Sequence, residues 1–267
     1  MSIFAKLSNN RILKPFFRIS RIRWLQLLGF LATLVVWQII SYIIPPIFFP
    51  SLIDTAIALV DVVVSGDIII YLEETFGAYG AGFLLAIGFG VPFGIVVGYF
   101  RTLRLTLDPV ISAAYATPRV TLIPLIVIWF GIGALSRIVY IFLSAVFPCI
   151  INVMQGVAYT EPGLMETGRA YCASKNQMIT KIVIPNAIPY IAVGVRLASI
   201  RSMIGVITAE MFLQAVGLGG AILRYGYVFR TDYLFALVVV VALIATSLAL
   251  GTQKIEQRVT KWRAEMR

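Results

Sequence analysis

Between Tyr233 and Gly251 the chain reads YLFALVVVVALIATSLALG, with no charged side chain in the run. A hydrocarbon core of about 30 Å takes roughly 20 apolar helical residues to cross, and this run has that length. The strands of an outer-membrane barrel would be about 10 residues long and would alternate apolar with polar. This stretch is apolar all round and reads as a membrane-spanning helix. Five further runs share its character: Leu25–Ile44, Ala78–Phe100, Val110–Gly131, Ile138–Val157 and Ile188–Met211. The last of these is the least apolar, because it carries Arg196, Arg201 and Glu210. The expected fold class is an all-α membrane protein with about six transmembrane helices.

The whole composition agrees. Of 267 residues, 60 % are hydrophobic and 13 % charged, and the mean hydropathy is +0.94. Soluble domains are typically about 45–50 % apolar and about 25 % charged. That excludes an ordinary soluble enzyme, a disordered chain and a nucleic-acid-binding domain. Histidine is absent, which removes the usual metal ligand and proton shuttle. Cys149 and Cys172 form neither a disulfide framework nor a metal cluster and read as small buried or interfacial residues.

The formal charge of +10 is placed asymmetrically. Lys6, Arg11, Lys14, Arg18, Arg21 and Arg23 precede the first run, and no acid lies among them. The segment from Pro45 to Gly77 has no Lys or Arg but holds Asp54, Asp61, Asp67, Glu73 and Glu74. Arg101, Arg104, Arg169, Lys175 and Lys181 fall on the side of the N-terminus, as do Lys254, Arg258, Lys261, Arg263 and Arg267. Sixteen of the 22 basic residues share that side, against Arg137, Arg224 and Arg230 on the other. The positive-inside rule then expects both termini in the cytoplasm, and the charge favours contact with anionic lipid. The first run is too long for a typical signal-peptide core and no small-x-small cleavage site follows, so it is expected to stay. This divides the chain into a basic cytoplasmic segment (residues 1–23), a transmembrane domain (24–251) and a basic cytoplasmic tail (252–267).

Within the spans, Gly90, Gly94 and Gly98 recur on one helix face, a spacing that lets backbones approach closely in lipid. An intramolecular helix contact and a dimer face both fit. Pro118, Pro124 and Pro148 fit either kinked helices around a pathway or plain bundle packing. On the outer side, Ser51 is expected to cap a short surface helix with Leu52, Ile53, Ala56, Ile57, Leu59, Val60 and Val63 on its apolar face. Gly217-Leu218-Gly219-Gly220 reads as an outer turn.

Arg119, Arg196, Arg201 and Glu210 lie within or near the ends of spans, where an unpaired charge costs several kcal/mol. On an ideal helix Arg196 and Glu210 share a face but sit about 21 Å apart along the axis, and Arg201 points about 140° away from Arg196. These four are candidate translocation-path residues for a polar or anionic solute. Snorkelling, or pairing with another helix, is the competing reading. No phosphate-binding loop, H-E-x-x-H motif or nucleophile elbow occurs, so no catalytic or metal-binding residue is assigned and the chain is not expected to be an enzyme.

One cytoplasmic segment is too long to be a simple turn. A helix beginning near Pro162 is expected to break around Cys172–Ala173, after which Ser174 caps a second helix that Pro185 interrupts. Such a projection acts as a lever on two spans. The segment resembles the EAA loop of ABC importer permeases. Glu166 matches the Glu of that motif, Thr167 and Gly168 stand at its Ala positions, and Ile182, Ile184 and Pro185 match its apolar-Leu-Pro ending. Cys172 stands where the family has Gly. The resemblance extends from about Pro45 to Gly251. It includes Phe49-Pro50-Ser51, Pro124 with Ile128-Trp129-Phe130-Gly131-Ile132-Gly133, Gly194-Val195-Arg196-Leu197-Ala198, Ala209-Glu210-Met211 and Gly217-Leu218-Gly219. These look similar to the subgroup that handles sulfonates, taurine and nitrate.

The resemblance implies a type I importer fold in which a second copy of the permease completes the path. It also implies an extracytoplasmic solute-binding protein and two cytoplasmic ATPase subunits that bind the ATP and Mg, leaving this chain without a cofactor. A bacterial inner membrane is the implied location. Coupling to the ATPase falls to the loop at about 158–184, through Glu166, Thr167, Gly168, Ala170, Tyr171, Cys172, Ala173 and Ser174. Glu166 as a plain helix cap or solvated charge is the competing reading of that residue. The alternative function is a secondary transporter or channel acting without an ATPase, which the lack of internal repeats and mid-membrane acids disfavours.

Overall fold

The protein is described by a computed structural model covering residues 14–264, with side chains from 23 to 260. Lys6, Arg11 and Arg267 lie outside the described residues. The described elements are helical throughout: α1 (Lys14–Ile43), α2 (Leu52–Val64), α3 (Asp67–Tyr99), α4 (Arg101–Ala116), a 3₁₀ turn (Arg119–Leu122), α5 (Ile123–Phe130), α6 (Ala134–Ala158) and α7 (Pro162–Ala170). These are followed by α8 (Lys175–Phe212), α9 (Gly217–Tyr227) and α10 (Thr231–Ala264).

Helices α1, α3, α6, α8 and α10 are each long and apolar enough to cross a membrane. The expected third span, Val110–Gly131, is not one helix. α4 and the Arg119–Phe130 segment meet at 91°, and the count reaches six only if this bent pair is one span. The cause is Pro118. A residue before proline is driven out of the α region, and Thr117 is extended at φ −64°, ψ 127°. Pro124 then sits at the start of α5, where a missing N–H costs nothing. Pro148 stays inside an unbroken α6.

α6 is the central post, packed between α3 and α8. The α3 contact uses the predicted glycine face within the chain. A Cβ on Gly90 would lie 3.2 Å from Cys149 Cβ, one on Gly94 2.8 Å from Val153 Cβ, and one on Gly98 2.6 Å from the Met154 carbonyl oxygen. The stripe begins earlier than the sequence reading placed it, with Ala78, Gly82 and Ala86 also buried on the same four-residue spacing. Buried Cys149 is part of this seam, whereas Cys172 is exposed.

Three further features differ from expectation. α3 starts at Asp67, so part of the acidic outer segment is helix rather than loop. α2 is capped by Ser51 as expected, its side chain accepting from the Asp54 N–H. However, it packs inward through Thr55, Ala58 and Val62, while Ile53, Ile57, Val60 and Val63 point outward. The small residues allow close approach, and the large ones remain on the surface. Pro185 does not interrupt α8 either. A π-helical stretch, Met178–Val183, precedes it, and the Ile184 N–H reaches back to the Ile179 carbonyl, so the helix widens and continues.

Candidate functional site

The elbow between α6 and α8 is built on a Schellman closure. α7 ends at Ala170 with Tyr171 as its C-cap; the Ala173 N–H donates to the Gly168 carbonyl (3.0 Å) and the Cys172 N–H to the Arg169 carbonyl (2.9 Å). That closure needs a left-handed residue at its penultimate position, and Cys172 takes φ +52°. Glycine would hold this conformation without the Cβ penalty, so the departure from the family pattern is a locally strained one. Ser174 then starts α8 with a full capping box, reciprocated by Gln177. Gly168 is buried because a Cβ there would lie 2.5 Å from Met178 Sδ and 2.5 Å from Ile182 Cδ1. Glu166, Thr167, Ala170, Tyr171, Cys172 and Ser174 are exposed and Ala173 is half-buried, forming a projecting tip.

The four intramembrane charges separate into three environments. Arg196 pairs with Glu256 of α10 at 2.6 Å, and so joins two helices. Glu210 is fully buried, and its Oε2 accepts from the Gly219 N–H at 2.8 Å. Beside it, Thr75 Oγ1 accepts from the Leu218 N–H at 3.0 Å. The Gly217–Gly220 run is therefore the first turn of α9, held by a carboxylate at the positive end of that helix, and not merely an outer turn. Gly217 takes φ +62°, and a Cβ there would collide with Glu210 Oε1 and Thr75 Oγ1. Arg137, expected in an outer loop, is only 5 % exposed. It binds Glu74 at 3.0 Å and lies close enough to attract Glu210.

Arg119 and Arg201 come together. They line one pocket of about 430 Å³ with Tyr115, Thr117, Tyr140, Ser144 and Thr208, where the α4–α5 bend faces α6 and α8. Arg119 is held in place. Its Nε donates to the Leu143 carbonyl (3.3 Å) and Nη2 to Tyr115 (3.1 Å). Nη1 donates to Ala114 (2.6 Å) and also to Thr117. These include the carbonyls that end α4, so the guanidinium closes the broken helix, and it also lies 5.1 Å from the centre of the Phe147 ring. Arg201 is exposed to the pocket, and no carboxylate pairs with it among the described residues.

The hydroxyl residues of this pocket escaped the sequence reading. A signal was present: Arg201, Gly205 and Thr208 share one face of α8, as Tyr140 and Ser144 share one of α6. What the sequence lacked was the bend that brings Arg119 opposite that face.

The profile of the family described as binding-protein-dependent transport system inner membrane component matches residues 90–261. A Bacillus subtilis protein assigned as the aliphatic sulfonates transport permease SsuC is 27 % identical over 247 residues, covering 91 % of this chain and 90 % of the relative. The taurine transport system permease protein TauC of Escherichia coli is 33 % identical over 181 residues, 68 % of this chain and 66 % of the relative. The formylaminopyrimidine transport permease protein ThiX of Halalkalibacterium halodurans is 25 % identical over 237 residues, 88 % and 94 % respectively. Among solved structures, a chain of the MetNI methionine ABC transporter in an inward-facing conformation aligns with a TM-score of 0.63 at 20 % identity. The alignment covers 71 % of this chain and 94 % of that one. The all-helical fold is that of a type I ABC importer permease.

Proposed function

The chain belongs to the binding-protein-dependent transport system inner membrane component family, a multi-pass inner-membrane permease without an ATPase site of its own, and from that premise we propose how it works. It forms, with a second copy of itself, the path for a small anionic solute of the sulfonate, taurine or nitrate type. An extracytoplasmic binding protein delivers the solute, and two cytoplasmic ATPase subunits, which bind the ATP and Mg, drive the cycle. Both termini face the cytoplasm, following the basic residues.

One observation carries this reading. α8 runs without a break from the elbow at Lys175 to Phe212, and Arg201 on it lines the basic pocket. From Ile184, where the regular α-helix resumes after the π-helical stretch, Arg201 lies about 26 Å further along the same helix at 1.5 Å per residue. A push on the exposed elbow therefore moves the wall of the pocket. Glu166, projecting from α7, is the charge offered to basic residues of the ATPase. The sulfonate and taurine relatives and the two arginines support an anion; the formylaminopyrimidine relative shows that similar chains are named for a heterocyclic solute. Glu166→Arg tests the coupling. Transport by the assembled importer should fall about tenfold, with weaker retention of the ATPase subunits, as expected for reversing one charged contact. Normal transport with the ATPase retained would overturn the assignment.

A further inference from the structure

The basic pocket holds two guanidinium groups that differ in what they can still do. Arg119 already has four of its hydrogen-bond donations directed at backbone carbonyls, out of the five N–H donors an arginine has. It supplies charge but almost no free N–H. Arg201 has no carboxylate or carbonyl partner among the described residues, faces the same space and repels Arg119. Two like charges sharing an acid-free cavity raise the free energy of the empty pocket, and a bound anion relieves it. At about 430 Å³ the space suits a small molecule rather than a peptide. Ser144 and Thr208 donate to carbonyls of their own helices, which leaves Arg201 as the main fork of donors directed at the ligand.

We propose that this pocket is an oxyanion-binding site in which Arg201 grips the anionic head of the solute, as sulfonate or carboxylate, while Arg119 adds charge from a fixed position. The proposal rests on the reading of the chain as an import path and sharpens it. Arg201 is the residue that touches solute, while Arg196 and Glu210 are joined to other helices.

The test uses the full chain assembled with its ATPase subunits in phosphatidylcholine vesicles. Cys172→Ser removes the exposed native thiol, Cys149 is buried, and Ile204→Cys, at a position 56 % exposed, places a thiol one turn from Arg201. Its labelling by anionic 2-sulfonatoethyl methanethiosulfonate is compared with that by cationic 2-(trimethylammonio)ethyl methanethiosulfonate, each normalised to a free thiol. The anionic reagent should react about tenfold faster, the scale expected for a focused field. The ratio should fall to near one in Arg201→Gln and persist in Arg201→Lys, and ethanesulfonate should slow the labelling. A ratio near one with Arg201 intact, or one indifferent to Arg201→Gln, overturns the proposal. Slowing by added phosphatidylglycerol but not by ethanesulfonate also overturns it, because the site would then hold a lipid headgroup. None of these readouts requires ATP or a binding protein, so their failure leaves the elbow assignment standing on its own test.

Discussion

Two regions of the bundle hold buried or half-buried charge, and they treat it in opposite ways. Around Glu210 the backbone is shaped to one carboxylate oxygen, Oε2, while the buried Oε1 has no hydrogen-bond partner among the described residues. Gly217 and Gly219 make room, the Gly219 N–H donates to it, and Arg137 is near enough to attract it. Around Arg201 there is space, a second cation and no acid. A charge that the protein engages holds helices together, and one that it leaves without a partner is available to a ligand. Thus charged residues of one helix, α8, form a clamp at Glu210, an interhelical tie at Arg196 and, in the proposal above, a ligand contact at Arg201.

The largest effect is expected at the clamp. Arg137→Ala removes the buried cation that binds the half-exposed Glu74 and should cost about 1–3 kcal/mol, read as a drop in the thermal midpoint of the detergent-purified protein. An unchanged midpoint with lost transport would make the cluster functional and erase the contrast. At the pocket the pattern should reverse. Arg201→Glu should lower uptake at least about tenfold, or about 1.4 kcal/mol, with the midpoint moving by less than about 0.5 kcal/mol in equivalent stability.

Smaller effects sharpen the picture at the edges. Cys172→Gly relieves a left-handed residue and should stabilise the elbow by about 0.5–1 kcal/mol, offset in part by the freer unfolded chain; a loss of stability would mean that the thiol packs against something. For Arg196 and Glu256, both partly exposed, a double-mutant cycle should return a coupling below about 1 kcal/mol. A larger coupling would make that pair a second clamp.

Much of this was legible in one dimension. Ser51 and Ser174 announced their helices because a cap is a local hydrogen bond between residues three apart. The glycine face of α3 was legible because its spacing is its function. The inward face of α2 was not: hydrophobicity ranks Ile53 and Ile57 above Thr55 and Ala58, yet the smaller pair is the one packed against the bundle. Cys172 raised a question that only the backbone could answer, and φ +52° answered it.

The solvent, the helix count to within one bent pair, the expected sidedness and the family could all be read in one dimension, because each depends on composition, spacing or charge along the chain. Tertiary structure alone decided the fate of each intramembrane charge. Whether an arginine pairs, caps or waits for a ligand depends on what another helix places opposite it, and here that was set by a 91° bend at Thr117–Pro118 and by a glycine turn folded back onto Glu210.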